Sequence, residues 1–337
     1  MEKPSARKGK KEATYNSVFE DEDFIICRKV DFQHCISTLL YYAWKHRNSE
    51  SHLYALYSYI QTLQSLTLLH KTQPARAIAP WPQPLFGTLD APKGVINYPS
   101  PNARLPSNYY PDHARIMIFG SKEQGLSYSL EAHISTALDS SEAKVLNIPT
   151  PWNLTDSKRA AEKIAKIHVA QVCESSLAGL AHNPFWPSLY AFLLVGPYFS
   201  LFAWKTRPNA EHLESLPELP SVPQHVKSKS KEALTAKRKE VVEQRIDRIK
   251  KTPLPEVIYY NEPMFTFKQS NGQKWYEKAT LSPRYLHALS LPASALSEEL
   301  ACQPSWFGVG DSKSFVESNR RVNVQQVRAM VLLFIFS

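Results

Sequence analysis

The stretch WPSLYAFLLVGPYFSLFAW, residues 186–204, carries no charged side chain from end to end. Such a block has two natural homes. One is the bilayer, which a helix of about 20 predominantly apolar residues can cross. The other is a sheet covered on both faces, whose strands read as continuous hydrophobic runs. Pro187, the central Gly196-Pro197, two serines and the mid-block tyrosines argue against the helix. LYAFLLV and YFSLFAW around Gly-Pro read as strand, turn, strand. The block is therefore expected at the centre of a buried sheet, with membrane association kept as a minor alternative.

The flanking segments supply the layers. Asp31 is placed to cap a helix to about Arg47, with Ile36, Leu39, Leu40 and Ala43 on one face. A second helix from about Ser51 carries Leu53, Leu56, Tyr57, Ile60 and Leu63, and Pro74 bounds it. The tyrosines Tyr41, Tyr42, Tyr54, Tyr57 and Tyr59 read as core and core-edge packing. Residues 74–111 hold nine prolines and are expected to form a long irregular crossing. Strands are expected at 114–119, 126–134 and 143–148, the last stopped by Pro149. A long helix capped by Thr155 or Asp156 follows, fading near Asn183-Pro184.

Four segments result: a basic flexible arm over 1–18, an α/β core over 19–208, a charged linker with a helix over 209–255, and a weakly structured C-terminal extension over 256–337. The fold class is α/β, a mixed sheet flanked by helices.

Glycine is scarce at 10 of 337 residues, and neither GxxxxGK[ST] nor GxGxxG occurs. A phosphate-cradling loop and a small-molecule nucleotide cofactor are not expected. Cys27, Cys35, Cys173 and Cys302 are scattered, so they read as buried, reduced thiols. The N-terminus has no apolar run after its charges, which points to an intracellular protein, nuclear or cytoplasmic. Net charge is +9, and the excess is concentrated. The arm holds Lys3, Arg7, Lys8, Lys10 and Lys11, and residues 227–251 hold ten Lys and Arg against four acids. Such runs suit a nucleic-acid partner through its phosphates.

One ordered set of residues carries chemistry. Pro111-Asp112 stands directly before the strand ARIMIF, and Glu142-Ala143-Lys144 follows at the start of the expected strand AKVLNI. Next comes a helix carrying Ile164, His168 and Gln171 on one face. An aspartate and a glutamate provide hard oxygen ligands for Mg²⁺. A lysine two residues from the glutamate shares its strand face, where its ammonium can offset charge on a phosphate. Two other registers compete: Glu131-Ala-His133, with His where Lys belongs, and Asn147-Ile-Pro149, in which Glu and Lys are both lost.

The order PD, strand, strand, ExK, helix, strand pair resembles the PD-(D/E)XK superfamily. DSKRAAEKIAKIHVAQV and VGPYFSLFAWK are similar to the helix and strand pair of an uncharacterised group from mushroom-forming fungi. The likeness covers about residues 105–207. It implies a restriction-endonuclease-like core with catalytic Asp112, Glu142, Lys144 and Gln171. It also implies Mg²⁺ held by Asp112 and Glu142, and phosphodiester hydrolysis on nucleic acid. Two departures stand out: His113 replaces the apolar residue after PD, and Glu142 would begin its strand rather than lie inside it. The alternative function is a non-catalytic module that binds nucleic acid or protein.

Overall fold

The computed structural model describes residues 29–70, 76–82, 111–119, 121–122, 128–129, 136–183, 186–209, 239–240, 242–247, 250, 252–267, 274–296 and 300–302. The basic arm, the 131–133 register, much of the charged linker and the apolar C-terminal end lie outside them.

Two helices lead, α1 (Lys29–Lys45) and α2 (Ser51–Leu66). After them come β1 (Leu68–His70), β2 (Arg76–Pro82), β3 (His113–Phe119), β4 (Ser121–Lys122), β5 (Tyr128–Ser129) and β6 (Thr136–Lys144). The long helix α3 (Thr155–His182) leads to the hairpin β7 (Leu189–Val195) and β8 (Tyr198–Trp204). β9 (Glu256–Pro263), β10 (Phe265–Phe267), β11 (Ala279–Leu281), α4 (Pro283–Ala295) and β12 (Leu300–Cys302) complete the order.

The main sheet has six strands in the order β2-β3-β6-β7-β8-β9. All its pairs are antiparallel except β6 with β7, which α3 connects. The fold is thus α/β, with a mixed sheet flanked by helices. The uncharged block forms the expected strand pair, and every residue of β7 and β8 is buried. At about 25 cal/mol per Å² of apolar surface removed from water, burial of this hairpin's strands contributes stability. Among the described residues no helix is long and apolar enough to cross a membrane.

Its turn needs glycine. Gly196 sits at φ +54°, and a Cβ there would come within 2.7 Å of Leu146 Cβ. The Gly196 N–H donates to the Lys144 carbonyl at 3.1 Å, and Tyr57 donates its hydroxyl to the Gly196 carbonyl. One tight turn thereby fixes the end of β6.

Several sequence expectations are corrected. Residues 76–82 are not irregular; they form the edge strand β2, paired to β3 along its length. An edge strand serves one neighbour and needs only alternate N–H groups, so Pro80 and Pro82, on alternate positions, are tolerated. The strand expected at 143–148 is instead β6, Thr136–Lys144, with its seven inner residues buried. Of the strand expected at 126–134, only Tyr128–Ser129 is described as strand. α3 begins after Leu154 with no side-chain cap, so neither Thr155 nor Asp156 caps it. Ser157 anchors that end by donating to the Pro151 carbonyl at 2.7 Å. Cys173 is buried as expected, whereas Cys35 is exposed.

The sheet also extends beyond the expected core boundary at 208. The strand β9 pairs with β8, and Met264, Phe265, Tyr285, Ala288 and Leu289 belong to the main core. Helix α4 starts at an ordinary cap. Ser282 Oγ accepts the Tyr285 N–H at 3.2 Å, and proline occupies the first turn.

Candidate functional site

β3 and β6 are antiparallel, with His113 opposite Ser141. One step further along the ladder, Asp112 meets the Glu142–Ala143 end of β6, and the Ala143 N–H donates to Asp112 Oδ2 at 2.7 Å. Glu142 and Lys144, on alternate positions of β6, turn to the face covered by α3. There Gln171 donates from Nε2 to Glu142 Oε2 at 3.1 Å. Lys144 Nζ is 3.3 Å from Glu142 Oε2 and 3.9 Å from Asp112 Oδ2. One ammonium thus stands between two carboxylates, one on β6 and one on the residue just before β3. All four candidate residues, Asp112, Glu142, Lys144 and Gln171, are brought together.

Glu142 lies inside β6, just before its end, and does not begin the strand as its polar prelude suggests. The prelude is polar because its partners come from elsewhere. Arg115 grips Asp139, and Gln61 donates to Ser141 Oγ at 3.3 Å. His113 is buried and meets the Tyr54 ring edge-on at 5.1 Å; it packs as the expected apolar residue would.

The electrostatics follow from burial. Glu142 is only 4% exposed. Burial pushes its carboxyl up to about 7; Lys144 opposes that rise and Asp112 adds to it. His168 is held down at about 4 by burial and by the Lys144 ammonium, so its ring is neutral at pH 7. His168 Nδ1 is 3.2 Å from Gln171 Oε1. Because Gln171 Nε2 already donates to Glu142, Oε1 must accept, so Nδ1 carries the hydrogen.

Two contributors have no counterpart among the sequence candidates. Tyr54, expected only to pack, donates its hydroxyl to Asp112 Oδ1 at 2.9 Å and also lies 3.2 Å from Glu50 Oε2. Burial, and then the charges of Asp112 and Glu50, raise the phenol, which keeps its proton. Arg245, expected in a linker, lies with Nε 3.3 Å from Glu174 Oε2 on α3. Neither has a local signal, since each acts on a partner far away along the chain. Among the described residues no group of three or more His, Cys, Asp or Glu side chains is placed to hold a metal; the acid pair is a two-carboxylate arrangement.

No protein-family model, curated protein or solved structure matches the chain.

Proposed function

We propose that the chain is a metal-dependent phosphodiesterase acting on nucleic acid, built on a core of the restriction-endonuclease type. The observation that carries this reading is the convergence of Asp112, Glu142, Lys144 and Gln171 at one end of β3 and β6. The set follows the order that the resemblance supplies, and its four side chains meet although they come from separate parts of the chain.

The donor set fits a hard divalent cation. Mg²⁺ commonly takes one or two protein carboxylates and completes its shell with water and phosphate oxygens. Asp112 and Glu142 would hold it. Burial raises the Glu142 carboxyl to about 7, and a cation bound beside it would favour the ionised form. A bound cation of this kind activates water and offsets phosphate charge.

The chain's own residues do the rest. Tyr54 and the Ala143 N–H fix the two oxygens of Asp112, and Gln171, oriented by His168, fixes Glu142. Lys144 carries positive charge at the position where a phosphate would gain negative charge.

The test is cleavage by the full chain. Supercoiled plasmid, single-stranded DNA and RNA are incubated with Mg²⁺ or Mn²⁺, beside Asp112→Asn and Lys144→Met. Cutting by the unaltered chain is expected to fall roughly 10²–10³-fold in each variant, with thermal melting little changed. No cutting of any substrate, together with no Mn²⁺ binding by electron paramagnetic resonance, would reject the reading.

A further inference from the structure

Hydrolysis of a phosphodiester needs a group that takes a proton from the attacking water. The four candidate residues leave that role open. Lys144 is an ammonium held by two carboxylates, and an ammonium donates without accepting. Asp112 and Glu142 are the ligands assigned to the cation, and Gln171 Nε2 is spent on Glu142. The acceptor has to come from another side chain.

His168 supplies one. It precedes Gln171 by three residues, so the two side chains lie on one face of α3. Its Nδ1 is 3.2 Å from Gln171 Oε1 and carries the hydrogen of the ring. A neutral imidazole has one N–H, so Nε2 keeps a lone pair in the ring plane. The ring is half-buried, and none of the described residues hydrogen-bonds to Nε2. A donor alone would orient the Gln171 amide; imidazole adds a second nitrogen of opposite character. The run from Glu142 through Gln171 to His168 holds the ring as a third group holds the base in a catalytic triad. The ring also shares the field of the site. Burial holds it down at about 4; Lys144 and Arg245 act in the same direction, and Gln171 and Asp112 oppose them. The lone pair is therefore present throughout the neutral range.

We propose that His168 Nε2 is the proton acceptor for the water that attacks phosphorus at the Asp112–Glu142 site. The inference rests on the phosphodiesterase reading. The water oxygen gives an electron pair to phosphorus as its proton passes to Nε2. The P–O bond to the leaving ester oxygen breaks, and that oxygen departs with the bonding pair and takes a proton from solvent. Nε2 then returns its proton to solvent. Because Nδ1–H stays on Gln171, the same tautomer is restored for the next cycle.

The experiment pairs cleavage with readings independent of it. His168→Asn keeps an N–H donor for Gln171 Oε1 and removes the basic nitrogen. Cutting of an oligonucleotide by the full chain with Mn²⁺ is expected to fall roughly 10²–10⁴-fold through kcat. Mn²⁺ affinity by electron paramagnetic resonance and thermal melting are expected to stay near those of the unaltered chain. In the unaltered chain without added metal, ¹⁵N spectra of the ring are expected to show Nδ1 protonated and Nε2 bare at pH 7. A hydrogen on Nε2, full-rate cutting by His168→Asn, or a loss of Mn²⁺ affinity that matches the loss of cutting each overturns the assignment and leaves the phosphodiesterase reading standing. No cutting by the unaltered chain overturns the assignment and counts against that reading as well.

Discussion

On the face of β3 and β6 turned toward α2 and α4, Arg115 and Asp139 form a bidentate ion pair at 0% and 1% side-chain exposure. Arg115 Nη2 also donates to the Leu289 carbonyl of α4 at 3.2 Å, and Gln64 donates to the same carbonyl at 2.8 Å. On the opposite face of the same two strands, Lys144 stands between Asp112 and Glu142, and its side chain keeps 13% exposure. The residue types are alike, but the geometry is not. The back pair is a matched fork joining three elements, the arrangement that lets a buried charge pair persist. The front has one point charge set between two carboxylates, with longer separations and a way out to solvent. The back cluster sets one guanidinium against one carboxylate; the front sets one ammonium against two.

The largest expected effect tests the back face. Arg115→Met strands Asp139 in the core and is expected to cost about 3–5 kcal/mol, whereas Arg115→Met with Asp139→Leu recovers most of it. Urea denaturation checks both. A mild single variant would mean that the back pair is no better matched than the front.

Glu142→Gln comes next. Because the folded pKa of about 7 lies above the unfolded value, the folded state holds its proton more tightly. Stability therefore falls as pH rises from about 4.5 to about 7. At roughly 1.4 kcal/mol per tenfold difference in proton affinity, the loss is on the order of 3 kcal/mol. Glu142→Gln is expected to flatten that slope and to be the more stable protein above pH 7, as read by denaturation at pH 5 and pH 8. Saturating Mg²⁺ is expected to flatten it in the unaltered chain.

Tyr54→Phe is expected to weaken Mn²⁺ binding about 10–100-fold, the usual range for losing a group that orients a ligand, with melting nearly unchanged. The smallest effect belongs to Gly196→Ala, at the turn whose backbone bonds the Lys144 carbonyl and the Tyr57 hydroxyl. Its left-handed backbone alone costs about 1–2 kcal/mol with a side chain, measurable by melting, and displacement of Leu146 adds to that.

The hairpin 189–204 is legible in the sequence because its information is local: apolar runs, a Gly-Pro turn and a fixed spacing. The meeting of the four candidate residues is anticipated by the order along the chain that the resemblance implies. β6 is not, because TALDSSEAK buries polar groups whose partners, Arg115, Gln61 and Gln171, lie on other elements, and hydropathy has no account of a satisfied aspartate. β2 is hidden by its prolines, since nothing local says that it is an edge. α4 does announce itself through Ser282-Pro283, a cap followed by a first-turn proline, which the weak apolar pattern around it obscures.

The bond from Arg115 to Leu289 has a consequence for the order in which the chain matures during synthesis. The Leu289 carbonyl that completes the buried fork lies 174 residues after the guanidinium, and the last strand of the sheet is Glu256–Pro263. A nascent chain halted near residue 208 would hold Arg115 and Asp139 in place while β8 still presented an unpaired edge. Pairings this distant in sequence slow folding, and the edge of β8 stays unpaired until β9 is made. A fragment cut at 208 is accordingly expected to aggregate on refolding, while one extended through α4 recovers cooperative unfolding.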